Sequence, residues 1–245
     1  MKRIVCWFSC GAASAVATKL AISENSNAYP LIIAYTEVIE EHLDNKRFLA
    51  DCEKWFGQEI LILGNDKYKR SIFETFKTSA MNIKGSAPCT QKLKKQVRQK
   101  FETPNDRQVF GYTAEEEQRM NRFIDANNDV DIWCPLIDKG LTKEDCLAML
   151  ENAKIELPEM YRLGYHNNNC IGCVKGGMGY WNKIKVDFPE HFDRMAKLER
   201  FKNQSVLKDR FLDELKTSDG NYPTESRIEC SIFCQLAEED YKLGK

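Results

Sequence analysis

Cys170-Ile171-Gly172-Cys173 closes an asparagine-rich turn, and Cys230-Ser231-Ile232-Phe233-Cys234 follows it downstream. Two close cysteine pairs in one chain have the spacing of a metal site, a cluster or a redox centre. A packed core uses free cysteine too, but needs no such regular pairing. Cys170, Cys173, Cys230 and Cys234 would suit a tetrahedral structural zinc that pins the C-terminus to the body. An iron–sulfur cluster and free redox-active thiols fit the same spacing. Cys6, Cys52, Cys134 and Cys146 fall in strand-like or amphipathic apolar contexts and read as core. His42, His166 and His191 lack paired spacing and read as surface or satisfied residues, with only His166 beside the cysteine motif.

A second chemistry lies at the other end of the chain. Ser9-Cys10-Gly11-Ala12-Ala13-Ser14 has small side chains, which let backbone N–H groups close on phosphate oxygens while the start of a following helix adds attraction. Tight structural packing explains such a turn equally well, and it is not a GxxxxGK[ST] loop. Lys92, Lys94, Lys95, Arg98 and Lys100 form a basic run whose default reading is a solvated helix face. Lys92 and Lys94 are its candidates for an anionic substrate, either a nucleotide phosphate or sulfate or a nucleic-acid backbone. Tyr180 and Trp181 among Lys175, Lys183 and Lys185 could stack bases, although Trp181 at helical spacing reads as core.

The elements that must position these groups alternate. Ile4 to Phe8, Leu31 to Tyr35 and Ile60 to Leu63 are apolar runs of strand length, and Gln108 to Tyr112 returns as a short strand. Helical patterns lie between them: Ala15 to Ile22, a stretch carrying Leu43, Phe48 and Cys52, a basic helix capped by Thr90 with a Leu93, Val97, Phe101 stripe, and one through Arg122. This alternation predicts an α/β fold, a parallel twisted sheet with helices on both faces. Thr142 to Asp145 reads as a capping box opening a further helix that Pro158 stops. Beyond Gly164 no strand pattern is visible. A boundary is expected near 165, with a nucleotide-binding α/β domain over 1–165 and a cysteine-rich, mainly helical extension over 166–245. Thr36 and Glu37, ending the second strand, would face the crevice where open parallel sheets bind ligands.

The chain has 245 residues, 42% of them hydrophobic, enough for a sizeable core. Lys+Arg number 36 against Asp+Glu 37, so there is no global basic field and any nucleic-acid contact must use a local patch. The apolar run after Lys2 and Arg3 is too short for a signal-peptide core or a membrane span. The expectation is a cytoplasmic protein with no membrane partner, whose cysteines stay reduced.

With these residues in view, the chain resembles the phosphoadenosine phosphosulfate (PAPS) reductase family of the adenine nucleotide alpha-hydrolase, or PP-loop, superfamily. Ser9 to Ser14 is similar to the pyrophosphate loop SGGxDS, with Cys10 in place of a glycine and Ala12-Ala13 preceding Ser14 where the acidic residue would stand. Gly111 to Glu116 with Arg119 and Arg122 is similar to that family's G-x-x-x-x-E-x-x-R segment. Cys134-Pro135-Leu136-Ile137-Asp138, Thr142 to Asp145, Leu157 to Gly164 and Cys170 to Cys173 then follow in the family's order. Glu229-Cys230 resembles the terminal Glu-Cys-Gly-Leu-His segment, with Ser231 and Phe233 where glycine and histidine would stand.

The resemblance implies an adenine-nucleotide-dependent enzyme of sulfur chemistry. Ser9, Gly11, Ser14, Thr36, Glu37, Glu116, Arg119 and Arg122 would bind the nucleotide, ATP with magnesium or PAPS, and Lys92 and Lys94 the substrate. Cys89, single where relatives carry an adjacent pair, would join Cys170 and Cys173 around a 4Fe-4S cluster. A fourth ligand would come from Cys234 or Cys230, or one iron would stay open; zinc is the alternative metal. In one reading ATP adenylates a nucleic-acid or small-molecule acceptor and cluster-bound or persulfide sulfur, supplied by a cysteine desulfurase, displaces the AMP. In another, Cys230 attacks PAPS and thioredoxin resolves the product. In a third the chain is an inactive nucleotide-sensing or nucleic-acid-binding module. Cys230 and Cys89 are the candidate catalytic cysteines.

Overall fold

The structure is a computed structural model that describes residues 2–81, 87–226 and 228. β1 (Arg3–Phe8), β2 (Leu31–Thr36), β3 (Ile60–Leu63), β4 (Asp106–Val109) and β5 (Asp131–Trp133) form one all-parallel sheet in the order β3-β2-β1-β4-β5. Cys6 pairs with Ile33 on one side and Val109 on the other. From β1 the chain winds outward first toward β3 and then toward β5, so the topological switch point lies between β1 and β4.

β1 is buried on both faces, and its alternation divides the core. Ile4, Cys6 and Phe8 pack with Phe48, Cys52, Cys146 and Leu150, which come from α2 (Asn45–Phe56) and α7 (Lys143–Asn152). Val5 and Trp7 pack on the opposite face with Phe110, Tyr112 and Phe123, the last from α5 (Glu117–Ala126). Helices therefore cover both faces, and each buried phenylalanine contributes roughly 2 kcal/mol. α1 (Ala12–Asn25), rich in alanine, comes close to α7 and to the short α6 (Pro135–Asp138). The four cysteines read as core are buried. Burial pushes the Cys134 and Cys146 thiols up to about 12, with Asp138 and Asp145 respectively adding to it, so both stay protonated near neutrality.

A third apolar cluster takes Phe73 and Phe76 from α3 (Ile72–Lys77) and joins them to Met160 of α8 (Glu159–Arg162). Tyr180, Trp181 and Ile184 of α9 (Met178–Asp187) and Phe192 and Met195 of α10 (Pro189–Lys202) complete it. It draws residues from both sides of position 165.

Local structure departs from the sequence reading in four places, the first being β4, which starts at Asp106 and ends at Val109 instead of running from Gln108 to Tyr112. The segment expected to open as a helix capped by Thr90 begins instead as a π-helical turn, Thr90–Lys95, and becomes regular only in α4 (Gln96–Phe101). β5 has three residues with a polar start, too short for a periodicity to show. α7 stops at Asn152, well before Pro158, and Lys154 takes a left-handed φ of 57° just beyond it. The capping box that opens α7 is present: Asp145 N–H donates to Thr142 Oγ1 at 3.1 Å, and Thr142 N–H to Asp145 Oδ2 at 2.8 Å.

Candidate functional site

A cavity of about 290 Å³ opens at the carboxyl ends of β1 and β4, the switch point of the sheet. Its floor is the turn from β1 into α1. Ser14 Oγ fills the centre of that turn, meeting Ser9 N–H at 3.1 Å and Ser9 Oγ at 3.0 Å and donating to Gly11 O at 3.0 Å. Cys10 sits at φ 60°, the left-handed region that glycine enters freely, with its thiol buried and facing Asn45 O at 3.7 Å. The Tyr161 phenol lies against the start of α1. Burial raises its pKa to about 12, opposed by backbone N–H groups of Ala12 and Asn168.

The facing wall comes from the end of β4. Gly111 passes so close to α1 that a Cβ there would lie 2.7 Å from both N and Cα of Ser14. Glu116 accepts Thr113 N–H at 3.1 Å and pairs with Arg119, whose guanidinium lies 5.3 Å from the Tyr112 ring centroid. The cavity collects three cations, Lys94, Arg119 and Lys143, against two carboxylates, Glu115 and Glu116. Lys143 Nζ donates to His166 O and to Asn167 Oδ1. Thr36 and Asn168 line the cavity, and their buried Oγ1 and Oδ1 have no hydrogen-bond partner among the described residues.

A buried polar network connects this crevice to the cysteine motif. Asn168 Nδ2 donates to Cys10 O at 2.6 Å and to Asn45 Oδ1 at 2.8 Å, so the asparagine run is tied to the turn after β1. Glu41 accepts hydrogen bonds from Tyr35 Oη and, at 3.0 Å, from Asn45 Nδ2, and Lys94 Nζ lies 3.4 Å away. Burial, with Glu41 adding to it, raises the Tyr35 phenol and the Cys10 thiol well above their ordinary values. Cys170 Sγ lies 4.0 Å from Glu41 Oε1.

The cysteine turn itself is rigidly held. Tyr180 Oη accepts Cys173 N–H at 2.9 Å and donates to Cys170 O at 3.2 Å, and Gly172 between them takes φ 74°. Cys170 and Cys173 are buried members of the third apolar cluster, and Cys89 packs against it, so residues far apart in sequence come into one neighbourhood. Among the described residues, however, no group of three or more His, Cys, Asp or Glu is arranged to hold a metal ion. Cys230 and Cys234, the expected nucleophile and fourth ligand, lie outside the described residues.

Of the expected nucleotide ligands, Ser9, Gly11, Ser14, Thr36, Glu116 and Arg119 line the crevice, together with Lys94. Three expected residues are placed elsewhere. Glu37 pairs with Arg70 at 2.6 Å, Arg122 is exposed and donates to Gln118 O at 3.3 Å, and Lys92 donates to Ser79 Oγ at 2.6 Å beside the Tyr68 ring. Two positions apart on this helical turn, Lys92 and Lys94 point to different sides. Trp181 and Tyr180 are core, as expected for the first, and offer no face for base stacking. His166 stacks on Tyr222 with ring centroids 4.6 Å apart.

Lys143, Tyr161, Glu41 and the run Asn167 to Asn169 escaped the sequence reading. Only the asparagines left a local signal, a polar triplet abutting Cys170. No helix among the described residues is long and apolar enough to cross a membrane. No protein-family model and no curated protein matches the chain.

Proposed function

We propose that the chain binds an adenine nucleotide in the crevice between β1 and β4 and uses it for sulfur chemistry, as an enzyme of the PAPS reductase type. The observation that carries this reading is the meeting, at the switch point, of a small-residue turn and three cations. Asn167 to Asn169 line the same crevice and lead directly into Cys170, which places the cysteine turn next to it.

In the preferred course, ATP lies with its phosphates against the Ser9 to Ser14 turn, Lys94, Arg119 and Lys143. An acceptor oxygen attacks the α-phosphorus, pyrophosphate departs, and sulfur then displaces AMP from the acceptor carbon. The cations offset the charge that develops on the phosphate oxygens. The acceptor would be a nucleic acid or a small molecule, and the sulfur the terminal atom of a persulfide supplied by a cysteine desulfurase; the acceptor–cysteine disulfide left when AMP departs is opened by a second thiol, which forms a disulfide with the carrier cysteine and frees the thiolated acceptor. Cys170 and Cys173, with Cys89 and with Cys234 or Cys230, are the residues that would hold a 4Fe-4S cluster or, as the alternative, zinc; a cluster would supply an exchangeable sulfur.

One observation favours a second reading. Ile228 lines the crevice, and Cys230 follows it by two residues in sequence. That proximity suits a thioredoxin-dependent reductase in which the Cys230 thiolate attacks the sulfur of PAPS and a second thiol releases sulfite.

The deciding experiment offers the purified protein ATP and PAPS separately. ATP–pyrophosphate exchange supports the adenylating course. Sulfite release from PAPS with reduced thioredoxin, abolished in Cys230→Ser, would replace it with the reductase. Binding of either nucleotide without turnover in either assay would leave a nucleotide-sensing module.

A further inference from the structure

A second cavity, of about 240 Å³, opens beside the end of β3 and is walled by Leu63, Asn65, Val97 and Phe101, with exposed Lys100 among its lining residues. It is smaller than the cavities that take drug-sized ligands, and its walls are mainly apolar, which suits one planar heterocycle. Phe101 joins it to the crevice, because its ring meets that of Trp7 edge-on with centroids 6.0 Å apart and Trp7 lines the crevice. Asn65 joins it to a group of cations. Its Nδ2 donates to Lys92 O at 2.6 Å and its carbonyl accepts Tyr68 N–H at 3.1 Å, which holds the turn after β3 against the π-helical turn. Lys92 Nζ stands 4.8 Å and Lys67 Nζ 5.7 Å from the Tyr68 ring centroid. Two ammonium groups around one ring repel each other, and an anion between them removes that cost. Asp66, Glu74 and Glu102 are already engaged, by Arg70 at 2.8 Å, Lys77 at 2.6 Å and Arg98 at 2.5 Å. Lys67, Lys92 and Lys100 meet no carboxylate among the described residues.

We propose that this surface docks a single-stranded nucleic acid, with one base in the cavity beside Phe101 and the flanking phosphates on Lys67, Lys92 and Lys100. The proposal rests on the reading of the crevice as a site that modifies a nucleic-acid acceptor, and it lays the strand on the β3 side of that crevice, across the Phe101–Trp7 contact. Cations that follow the backbone, beside an apolar recess for a base, are the means by which proteins hold single strands. An acidic polypeptide would use the same lysines but brings no heterocycle to fill the cavity. With a formal net charge of −1 the chain has no general attraction for polyanions, so the salt dependence of binding reports the phosphates met at this patch.

Fluorescence anisotropy with a labelled oligonucleotide of about 12 residues, as RNA and as DNA, measures the docking across a range of salt concentrations. Lys67→Gln, Lys92→Gln and Lys100→Gln should each reduce the slope of log affinity against log salt by about 0.7, the value for one phosphate contact on a single strand. Lys154→Gln, an exposed lysine just beyond α7 and so on the opposite face of the sheet, should leave the slope unchanged. Phe101→Ala should weaken the strand about tenfold. Annealing the oligonucleotide to its complement tests the same cavity without a variant, and the duplex should bind at least about fivefold more weakly because its bases stay stacked. A wild-type slope in all three lysine variants, or an equal loss in Lys154→Gln, would overturn the docking surface. Duplex bound as tightly as the single strand would remove the base from the cavity. Polyglutamate that competes as well as the oligonucleotide would replace the strand with an acidic protein. If ATP–pyrophosphate exchange is absent while the strand still binds with these lysine effects, the reading of the crevice falls and the docking surface stands.

Discussion

Gly111 and Ser14 meet backbone to backbone: a Cβ on Gly111 would stand 2.7 Å from both N and Cα of Ser14 and 2.9 Å from the Ala13 carbonyl carbon. This approach brings the segment after β4 down onto the first turn of α1 and sets the width of the crevice. Gly111→Ala forces the two segments apart, since none of the crowded atoms belongs to a flexible side chain. Denaturant titration should show a loss of about 1–3 kcal/mol, the usual range for overpacking. Nucleotide affinity should fall by more than that general loss explains in a sample shown to be folded.

Gly11→Asp separates nucleotide binding from stability. Gly11 is the N-cap of α1, a position where aspartate is as good a residue as any, so the helix should not weaken. The nearest obstacle is Tyr161 Oη, 3.3 Å from the new Cβ. Thermal unfolding should stay close to wild type while the carboxylate repels phosphate. Calorimetry should then show nucleotide affinity reduced at least about tenfold, or 1.4 kcal/mol. Unchanged affinity in a folded variant would remove the turn from the site.

Lys143→Met keeps the unbranched stem of the side chain, one atom shorter, and removes its charge. Charge-assisted hydrogen bonds contribute about 1.5–3 kcal/mol, so ATP or PAPS should bind roughly ten- to a hundredfold more weakly. A matched substitution at Lys92, which is turned to Ser79 and the Tyr68 ring, should change nucleotide affinity little. Equal losses at the two positions would contradict the placement of Lys143 in the crevice and Lys92 outside it.

Asp44 gives the fold an acid-sensitive joint. It forms a double hydrogen bond with Arg47, at 2.7 Å to Nε and 2.7 Å to Nη2, and accepts Glu159 N–H at 2.9 Å. The Arg47 guanidinium holds the Asp44 carboxyl below the usual carboxylate range. A depressed folded-state pKa gives stability that is present above the unfolded value and disappears as pH falls through the folded one. Asp44→Asn should therefore cost about 0.5–1 kcal/mol at neutral pH and make the stability profile flatter below the carboxylate range. Denaturant midpoints measured across pH 2 to 7 check both the size and the sign.

The sequence by itself determined what is local. Ile4 to Phe8 could only be a buried strand, the small residues after it could only turn, and the capping box at Thr142 opened its helix as read. Alternating apolar runs and helical patterns sufficed for an α/β fold because periodicity is written in neighbouring residues. Cys6, Cys52, Cys134 and Cys146 were legible as core for the same reason. The tertiary structure alone decided which charged groups share the crevice. Lys92 and Lys94 belong to one basic run, but residues two apart on a helix do not share a face, and only the packing decides that it is Lys94 that reaches the cavity. Glu37 and Thr36 are adjacent, yet Arg70 draws Glu37 away while Thr36 stays at the wall. Lys143, Tyr161 and Asn168 reach the turn after β1 across most of the chain, and no spacing rule encodes such meetings. They follow from the strand order, which sets β4 beside β1 and leaves the switch point open between them.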